Sequence, residues 1–206
     1  MIVERHAFRS ADLVAGNVAL DFTNTVTGRN ATPRDWLADY ASLVEWARLS
    51  SAFNARDLDV LERAGMRDAA GAKAALARAT RFREALSSAV YAFLAGEPPG
   101  TEERSEIERA YRGAMKVVRF EWTSSGCRLA WAADDSGLDL IVHVVAVHAL
   151  YLLANLDAER TRMCAGDNCG WLFLDSSRNG RRRWCDMATC GNVAKARRHY
   201  RRVRAE

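Results

Sequence analysis

The sequence lacks a membrane-spanning segment and a secretory signal. Its longest near-apolar run, from Leu140 to Ala154, has 15 residues and contains His143 and His148, whereas a transmembrane helix needs ~18 to 20 residues. The N-terminus mixes charged and small residues without the apolar stretch of a signal peptide. We therefore expect a cytoplasmic protein that does not enter a membrane.

Catalytic motifs are also absent. The chain contains no phosphate-binding glycine loop, no G-x-S-x-G and no H-E-x-x-H sequence. Two acidic pairs, Glu102-Glu103 and Asp134-Asp135, stand near the predicted starts of helices, where the helix dipole favours carboxylates. Neither pair indicates acid–base catalysis, so we expect no enzymatic activity.

Lysine is scarce, and basic charge is unevenly distributed. Lys73, Lys116 and Lys195 are the only lysines among the 30 basic residues. Residues 160–206 hold 12 basic and 4 acidic residues, whereas the first 159 hold 18 and 22. A chain-wide preference for arginine does not explain this concentration at one end. We expect the C-terminal part to bind a polyanion, the alternative being a solvated basic surface.

Four of the five cysteines lie in the same basic part, as Cys164, Cys169, Cys185 and Cys190. Their pattern, C-x4-C-x15-C-x4-C, predicts a structural zinc site in a reducing compartment, where paired cysteines act as metal ligands. Disulfides, an iron–sulfur cluster and redox thiols are the alternatives. Cys127 stands apart and is expected to be a small core residue.

The residues around the cysteines predict a hairpin and a helix. Trp171 to Asp175 is a strand signal, Ser176 to Gly180 a turn, and Arg181 to Trp184 the returning strand. Gly191 to Arg204 predicts a C-terminal helix, with Thr189 or Asn192 as its N-cap. The aromatic residues are expected to pack over the metal rather than to stack bases; they are Trp171, Phe173 and Trp184.

These residues resemble the CGNR zinc finger. The resemblance rests on Cys164, Cys169-Gly170-Trp171-Leu172-Phe173-Leu174-Asp175, Ser177-Arg178-Asn179, Arg182-Arg183-Trp184-Cys185, Met187 and Cys190-Gly191-Asn192 with Lys195 following. One residue departs from the pattern, because Val193 stands where the family name has arginine. If that arginine contacts phosphate in other members, Lys195, Arg197 and Arg198 must replace it.

The front of the chain is similar to the ABATE domain, which accompanies this finger in a family of stress-induced transcription regulators. The similarity rests on Gly16-Asn17-Val18-Ala19-Leu20-Asp21-Phe22-Thr23-Asn24-Thr25. Together the two resemblances imply an ABATE-like helical domain over residues 1–158 and a CGNR-type zinc finger over 160–206.

Periodicity predicts a mainly helical front domain. A helix is expected from Pro33 to about Ser50, and an apolar, buried one from Leu138 to Leu156. Three more helices are predicted over Asn54–Arg67, Asp68–Ala95 and Thr101–Met115, and a hairpin over Val117–Trp122 and Cys127–Trp131. Val18 to Phe22 fits helix or strand. The expected fold class is mainly α with a small β-hairpin (α+β), followed by a four-cysteine finger of treble-clef or ribbon-like type.

Candidate binding residues fall into two groups. Asp21 and Asn24 form either a small-molecule site or a local polar network, and His143 and His148 are expected to be core or pocket-lining residues rather than metal ligands. The nucleic-acid-binding candidates are Arg178, Arg181, Arg182, Arg183, Lys195, Arg197, Arg198, Arg201 and Arg202.

The function that the resemblance implies is zinc-dependent DNA binding by a transcription regulator, whose front domain senses a ligand or assembles the protein. Double-stranded DNA is the expected partner, with a small-molecule ligand and a homodimer as further expectations. RNA is the alternative within the same class. A ligand-binding protein whose finger is a structural or protein-interaction module is the alternative from another class.

Overall fold

Helices form most of the front part of the chain. The structure, a computed structural model, describes residues 1–204 and leaves the side chains of residues 199 and 202 aside. Seven helices precede the cysteine cluster in the described chain: α1 Val18–Thr23, α2 Tyr40–Arg48, α3 Ala55–Arg67, α4 Ala69–Leu94, α5 Thr101–Lys116, α6 Ala133–Ser136 and α7 Leu140–Ala154. The predicted helices at α3, α4, α5 and α7 are thus confirmed, and the ambiguous Val18–Phe22 segment is helical.

Two long helices carry the core. α4 is built from good helix formers, begins at the N-cap Asp68, whose carboxylate accepts a hydrogen bond from Gly71 N, and buries Phe82, Leu86 and Val90. α7 packs against α1, α4 and α5. By length and composition, residues 133–154 would suffice to cross a membrane. Buried residues of α7, such as Ile141 and Val145, instead form core contacts in this fold.

The prediction of a helix from Pro33 is wrong. Arg34–Asp35 is strand β3, which lies between β1 (Ile2–Val3) and β2 (Val26–Thr27) in a small sheet, parallel to β1 and antiparallel to β2. Asp35 is buried and accepts two hydrogen bonds, 2.7 and 2.6 Å long, from the Arg83 guanidinium of α4. This long-range ion pair holds Asp35 in extended backbone.

The helix itself begins later, at Tyr40. Asp39 is its N-cap, because its carboxylate accepts a hydrogen bond from Ser42 N and the Ser42 hydroxyl accepts one from Asp39 N. This reciprocal pair satisfies two backbone donors at the helix start, as in a capping box. The capping residue Asp39 therefore determines where the helix begins, rather than the Thr32-Pro33 pair from which the sequence predicts an earlier start.

The predicted hairpin is confirmed as β4 (Arg119–Thr123) paired antiparallel with β5 (Gly126–Ala130). Its side chains are almost all exposed. Cys127 is exposed as well, so the expectation that it lies in the core is wrong. The hairpin extends from the body of the molecule, and its strands contribute no residue to the hydrophobic core.

The finger has a different strand pairing from the one predicted. Strand β7 (Leu172–Leu174) pairs antiparallel with β6 (Thr161–Met163), which precedes the first cysteine pair. The predicted return strand, Arg181–Trp184, has no strand conformation. The first cysteine pair therefore lies in the loop of a hairpin, and helix α8 (Asn192–Val203) follows the second pair.

The finger is joined to the front domain by a seam of backbone hydrogen bonds. The Asn24 side chain pairs with Leu172, accepting from its N–H at 2.9 Å and donating to its carbonyl at 2.8 Å. Leu174 N donates to the Ala15 carbonyl at 2.8 Å. Because Asn24 and Leu172 are buried, these bonds are shielded from water, and the seam fixes the finger against α1.

The loop after β2 extends this seam to the cysteines. Arg29 N donates to the Cys169 carbonyl, and the Asn30 amide donates to the Gly166 carbonyl and accepts from Cys169 N. Gly170 has a positive φ of 72°, and a Cβ there would lie 3.0 Å from Asn30 N. Glycine is therefore required where the two parts of the chain approach most closely.

Replacing Asn24 by Ala is expected to destabilise the protein by about 2–4 kcal/mol, because a buried N–H and a buried carbonyl of Leu172 would lose their partner. Urea denaturation would measure the loss, and hydrogen exchange should increase over residues 161–174. Asn155→Ala is the control, since the Asn155 amide is exposed and caps its own helix. Equal stabilities for the two variants would contradict the role of the seam.

Candidate metal centre and basic surface

The structure brings the four predicted cysteines together. Their Sγ atoms all lie within 4.8 Å of one another, and Cys164, Cys169 and Cys185 are buried while Cys190 is half-buried. Two of the Sγ–Sγ distances, from Cys185 to Cys169 and to Cys190, are 3.7 Å. These thiols are free rather than joined as disulfides.

The spacing of the thiols fits a tetrahedral ion. Four thiolates at the usual zinc–sulfur distance of ~2.3 Å would have their sulfur atoms about 3.8 Å apart. Hydrogen bonds from the thiols of Cys169, Cys185 and Cys190 lower the pKa of Cys164, and Cys185 N also donates to the Cys164 sulfur at 3.3 Å. The cluster can therefore bind a divalent metal through four sulfur ligands.

Each cysteine pair has its own local support. Cys164 and Cys169 flank the loop between β6 and β7, which the seam holds in place. Cys190 lies in a wide helical turn, Met187–Gly191, immediately before α8. Its N-cap is Asp186, whose carboxylate accepts from Thr189 N at 2.9 Å. The N-cap of this helical segment is thus Asp186, and the prediction of Thr189 or Asn192 as the cap is wrong.

Polar contacts, most of them half-buried, stabilise the loop between the two pairs. Asp175 accepts hydrogen bonds from Ser177 N and from Arg182 N. The Arg160 guanidinium donates to the Ser177 carbonyl, and that of Arg162 to the Gly180 carbonyl. Sequence reasoning missed these roles. The Asp-Ser-Ser sequence is a local turn signal, but the arginine contacts span 17 and 18 residues and leave no local pattern.

The aromatic residues of the finger are packed rather than free to stack on bases. Phe173 is fully buried, Trp171 is 8% exposed and Trp184 is half-buried against the core. Trp171 meets Trp36 of the front domain edge-on, with ring centroids 5.5 Å apart. Burial leaves the faces of Trp171 and Phe173 without room for a base, and the Trp171 ring adds apolar contact to the seam.

The candidate nucleic-acid residues separate into two groups. Arg178, Arg181, Arg183, Lys195, Arg198 and Arg201 are at least partly exposed, and the Arg183 guanidinium lies over the Trp184 ring at 5.1 Å. Arg197 forms an ion pair with Asp167. The side chain of Arg202 lies outside the described residues.

Arg182 is engaged inside the finger, unlike the other candidates. Its guanidinium donates to the carbonyls of Trp184 and Cys185 and stacks over the Phe173 ring at 4.6 Å. This geometry gives Arg182 a structural role, because two of its guanidinium nitrogens stabilise the backbone beside the cysteines; that it also binds nucleic acid stays a prediction.

The Asp21 and Asn24 pair has two local structural roles. Asn24 belongs to the seam, and the Asp21 carboxylate accepts a hydrogen bond from Ala15 N at 2.9 Å. The carboxylate nevertheless borders a polar cleft of about 560 Å³, together with Asn17, Ser50 and His148. The geometry thus supports the local network that the sequence left open, with Asp21 at the edge of a cavity.

The two histidines of α7 lie apart from the cysteines. In the described part of the chain, the cysteine cluster is the group with metal-ligand geometry. Burial lowers the pKa of both His143 and His148, so both rings are neutral at pH 7. His143 packs against Gly113 of α5, and His148 lines the cleft beside Asp21.

Asp21 predicts a pH-dependent stability. Burial raises its pKa from 3.8 to about 6, against the opposing hydrogen bonds from Ala15 and Val14. The native state therefore holds this proton more tightly than the unfolded chain does, and the associated stabilisation, up to about 3 kcal/mol, is lost as the pH rises from about 4 through 6. Asp21→Asn should remove that loss.

Urea denaturation of both proteins from about pH 5 to 7, the range that spans the raised pKa, measures this effect. The difference in unfolding free energy between Asp21→Asn and the original chain should shift in favour of the variant as the pH rises, because changes common to both, including metal loss, cancel. A difference that stays constant over this range would contradict the raised pKa of Asp21.

Comparisons with known families agree with this architecture. The profile of the family described as "Putative stress-induced transcription regulator", ABATE, matches residues 16–156. The profile of the CGNR zinc finger matches residues 160–203, which include all four clustered cysteines. No curated protein sequence matches the chain significantly. The chain therefore belongs to the ABATE family and carries a C-terminal CGNR zinc finger.

Proposed function

We propose that this protein is a cytoplasmic, zinc-dependent DNA-binding transcription regulator, with residues 160–206 binding DNA and residues 1–158 forming the sensing and assembly domain. The observation that carries the proposal is the position of α8. This helix starts beside the metal cluster and presents exposed cations, among them Arg198 and Arg201, to solvent.

Zinc is the metal that the four sulfur ligands favour, because thiolates select soft or borderline ions and zinc adopts tetrahedral geometry without redox chemistry. All four coordination positions are filled by protein, which is typical of a structural site rather than a catalytic one. The bound ion would supply folding energy to the finger, while the cations of α8 and of the preceding loop would contact the phosphates.

Duplex DNA fits the surface better than single-stranded RNA does. Recognition of single-stranded RNA relies on exposed aromatic rings that stack on bases. The rings beside the first cysteine pair, Trp171 and Phe173, are buried, which leaves Tyr200 of α8 as an exposed ring beside many exposed cations. Exposed guanidinium groups on a helix can instead bind phosphate oxygens and enter a groove.

The Val193 side chain, 50% exposed in the first turn of α8, cannot bind phosphate. Of the residues expected to replace the family arginine, Lys195 and Arg198 are exposed and take that role with Arg201, whereas Arg197 is paired with Asp167.

A contact path from a cleft of the front domain to the finger supports a role of this domain in ligand sensing. A cleft of about 680 Å³ between α4 and the start of α5 is lined in part by Asp35, Arg83 and Glu84. Glu84 accepts two hydrogen bonds from the Arg29 guanidinium, and Arg29 N binds the Cys169 carbonyl. A small molecule bound in this cleft would contact Glu84, and Arg29 would connect Glu84 to the loop that carries Cys169. A homodimer, which doubles the basic surface, is part of the same proposal.

The metal assignment predicts about one zinc ion per chain in protein purified without chelator. Cys185→Ser should release the ion and unfold the finger, because thiolate ligation supplies its folding energy. Elemental analysis and hydrogen exchange over residues 160–204 would measure both effects. Cys127→Ser is the matched control, since Cys127 is exposed and far from the cluster in sequence; it should retain the ion. Protein without zinc, or with two disulfides by mass spectrometry, would overturn the assignment.

The DNA assignment predicts a steep salt dependence. The logarithm of the affinity for duplex DNA should fall linearly with the logarithm of the salt concentration, at ~0.9 per phosphate neutralised, and Arg198→Ala with Arg201→Ala should flatten this slope by about two phosphates. Fluorescence anisotropy at about 50 to 200 mM salt measures the slope. Arg56→Ala with Arg67→Ala in the front domain is the control and should leave it unchanged.

Two further outcomes of this titration separate the alternatives. If α8 reads bases, the variant should lose more affinity for a selected site than for random duplex, whereas equal losses indicate phosphate contact alone. Weak, salt-insensitive binding to both DNA and RNA would reject the proposal and favour a protein-interaction finger.

A further inference from the structure

The β4–β5 hairpin carries an apolar face that nothing in the described chain covers. Phe120 and Trp122 of β4 lie opposite Leu129 and Cys127 of β5 on one face of the hairpin. Phe120 is 60% exposed, Trp122 78% and Leu129 44%. Exposed apolar side chains grouped in this way mark interaction surfaces more often than isolated ones do.

The backbone of the hairpin is incomplete as well. The hairpin forms a two-stranded sheet by itself, without a further strand in the described chain. A two-stranded hairpin exposed on both faces is marginally stable in water and gains stability from additional strands. The outer edge of β4 presents unpaired backbone groups, which is a template for strand addition.

The hydrogen-bond pattern fixes which residues face this edge. Thr123 and Gly126 close a two-residue turn, and the closing pair of such a turn is hydrogen-bonded across the hairpin. Because paired and unpaired positions alternate along an antiparallel strand, Glu121 and Arg119 also bond inward to β5. Phe120 and Trp122 therefore point their N–H and C=O groups outward.

Charge decides how a second β4 strand can pair with this edge. The charged face of β4 carries Arg119 and Glu121. In a symmetric antiparallel pair, the two strands are related by a two-fold axis, and the residue on that axis lies opposite its own copy. An axis through Arg119 or through Glu121 therefore places two like charges opposite each other, which is destabilising. An axis through Trp122 or Thr123 places neither charge opposite a charge of the other copy, so it adds no ion pair between the two chains.

An axis through Phe120 is the remaining choice, and it satisfies all these constraints. Arg119 of each copy then lies opposite Glu121 of the other, so that two ion pairs form. The two Phe120 rings meet on the apolar face, and their outward backbone groups form the central hydrogen-bonded pair. The edge of β5 offers no such register, because Arg128 is its single charged residue.

We propose that two copies of this protein associate through the outer edges of their β4 strands, in the antiparallel register that pairs Phe120 with Phe120, to form a continuous four-stranded sheet. This inference rests on the proposed function in so far as it identifies the surface of the dimer included there. The interface is small, so the dimer has micromolar rather than nanomolar affinity. The occupant of the edge is a second copy of the same chain, because the register depends on the strand's own charges.

Charge-reversed variants test the register directly. Arg119→Glu alone places two carboxylates opposite each other across the interface, and Glu121→Arg alone places two guanidinium groups opposite each other. Each variant should therefore raise the dimer Kd at least ~10-fold. An equimolar mixture of the two variants restores opposite charges at both facing positions of a mixed dimer, because one strand then carries two carboxylates and the other two guanidinium groups. The mixture should therefore associate at least as tightly as the original chain. Sedimentation equilibrium of zinc-loaded protein without DNA measures all three.

The mixture also separates the interface from local effects. Arg119 forms an ion pair with Asp135, and Glu121 forms one with Arg128; each variant loses its own local pair whether or not the other is present. Recovery in the mixture therefore requires contact between copies. Phe120→Asp should dissociate the dimer as well, whereas Met66→Asp, at an even more exposed apolar residue of α3, should leave it intact.

Three results would overturn the proposal. The first is a monomer at all concentrations up to ~200 µM, which is well above the micromolar Kd expected for a small interface. The others are a mixture of variants that fails to recover affinity and a dimer that is insensitive to Phe120→Asp. Quenching of Trp122 fluorescence by DNA, with no dimer, would instead assign the face to nucleic acid and would equally reject strand pairing. Because dimerisation is measured without DNA, a failure of DNA binding leaves this test unaffected, and a failure of dimerisation leaves the salt titration unaffected.

Discussion

The pairing of the Asn24 amide with the backbone of Leu172 is the contact on which the arrangement of the whole chain depends. It joins residues 148 positions apart and satisfies a buried N–H and a buried carbonyl at once. Such groups are costly to leave without a partner, so the pairing specifies both the position and the register of the finger on α1. Asn30 repeats the device at the metal loop.

The finger consequently rests on two supports of different kinds. A metal bound by the four cysteines would hold its second half, where α8 is too short and too basic to stay folded alone. The seam holds its first half, where Trp171 packs on Trp36 and Gly170 allows close approach of the backbones. The family profiles divide the chain in two, yet the contacts show that the metal loop is built partly on the front domain.

Arginine has two distinct uses in this protein. Arg83 is completely buried and neutralised by Asp35 and Glu84, while Arg182 and Arg160 donate to backbone carbonyls of the finger. Burial works to raise the pKa of Glu84, but the ion pairs with Arg29 and Arg83 outweigh it and hold this pKa below its usual value. The number of basic side chains free to bind a polyanion is therefore smaller than the number of basic residues in the sequence, and these side chains are concentrated on α8 and the loop before it.

The sequence by itself determined the elements whose signals are local, and tertiary structure alone decided what depended on distant partners. Helical periodicity and capping residues defined α3, α4, α5 and α7, the Thr-Ser-Ser-Gly turn defined the β4–β5 hairpin, and cysteine spacing with the neighbouring motif defined the metal cluster.

Asp35, by contrast, is extended because Arg83, 48 residues away, neutralises it in the interior, whereas its local sequence favours a helix start. Strand β7 pairs with β6 rather than with Arg181–Trp184, because the backbone of that segment has distant partners: Arg182 N donates to the Asp175 carboxylate and the Arg183 carbonyl accepts from Ala165 N. In the sequence Asn24 is only a residue of a family motif, and its structural role is seen only when the fold places Leu172 beside it. The physical reason is common to all three: a buried polar group must find its partner wherever the fold places one, and sequence distance does not limit that choice.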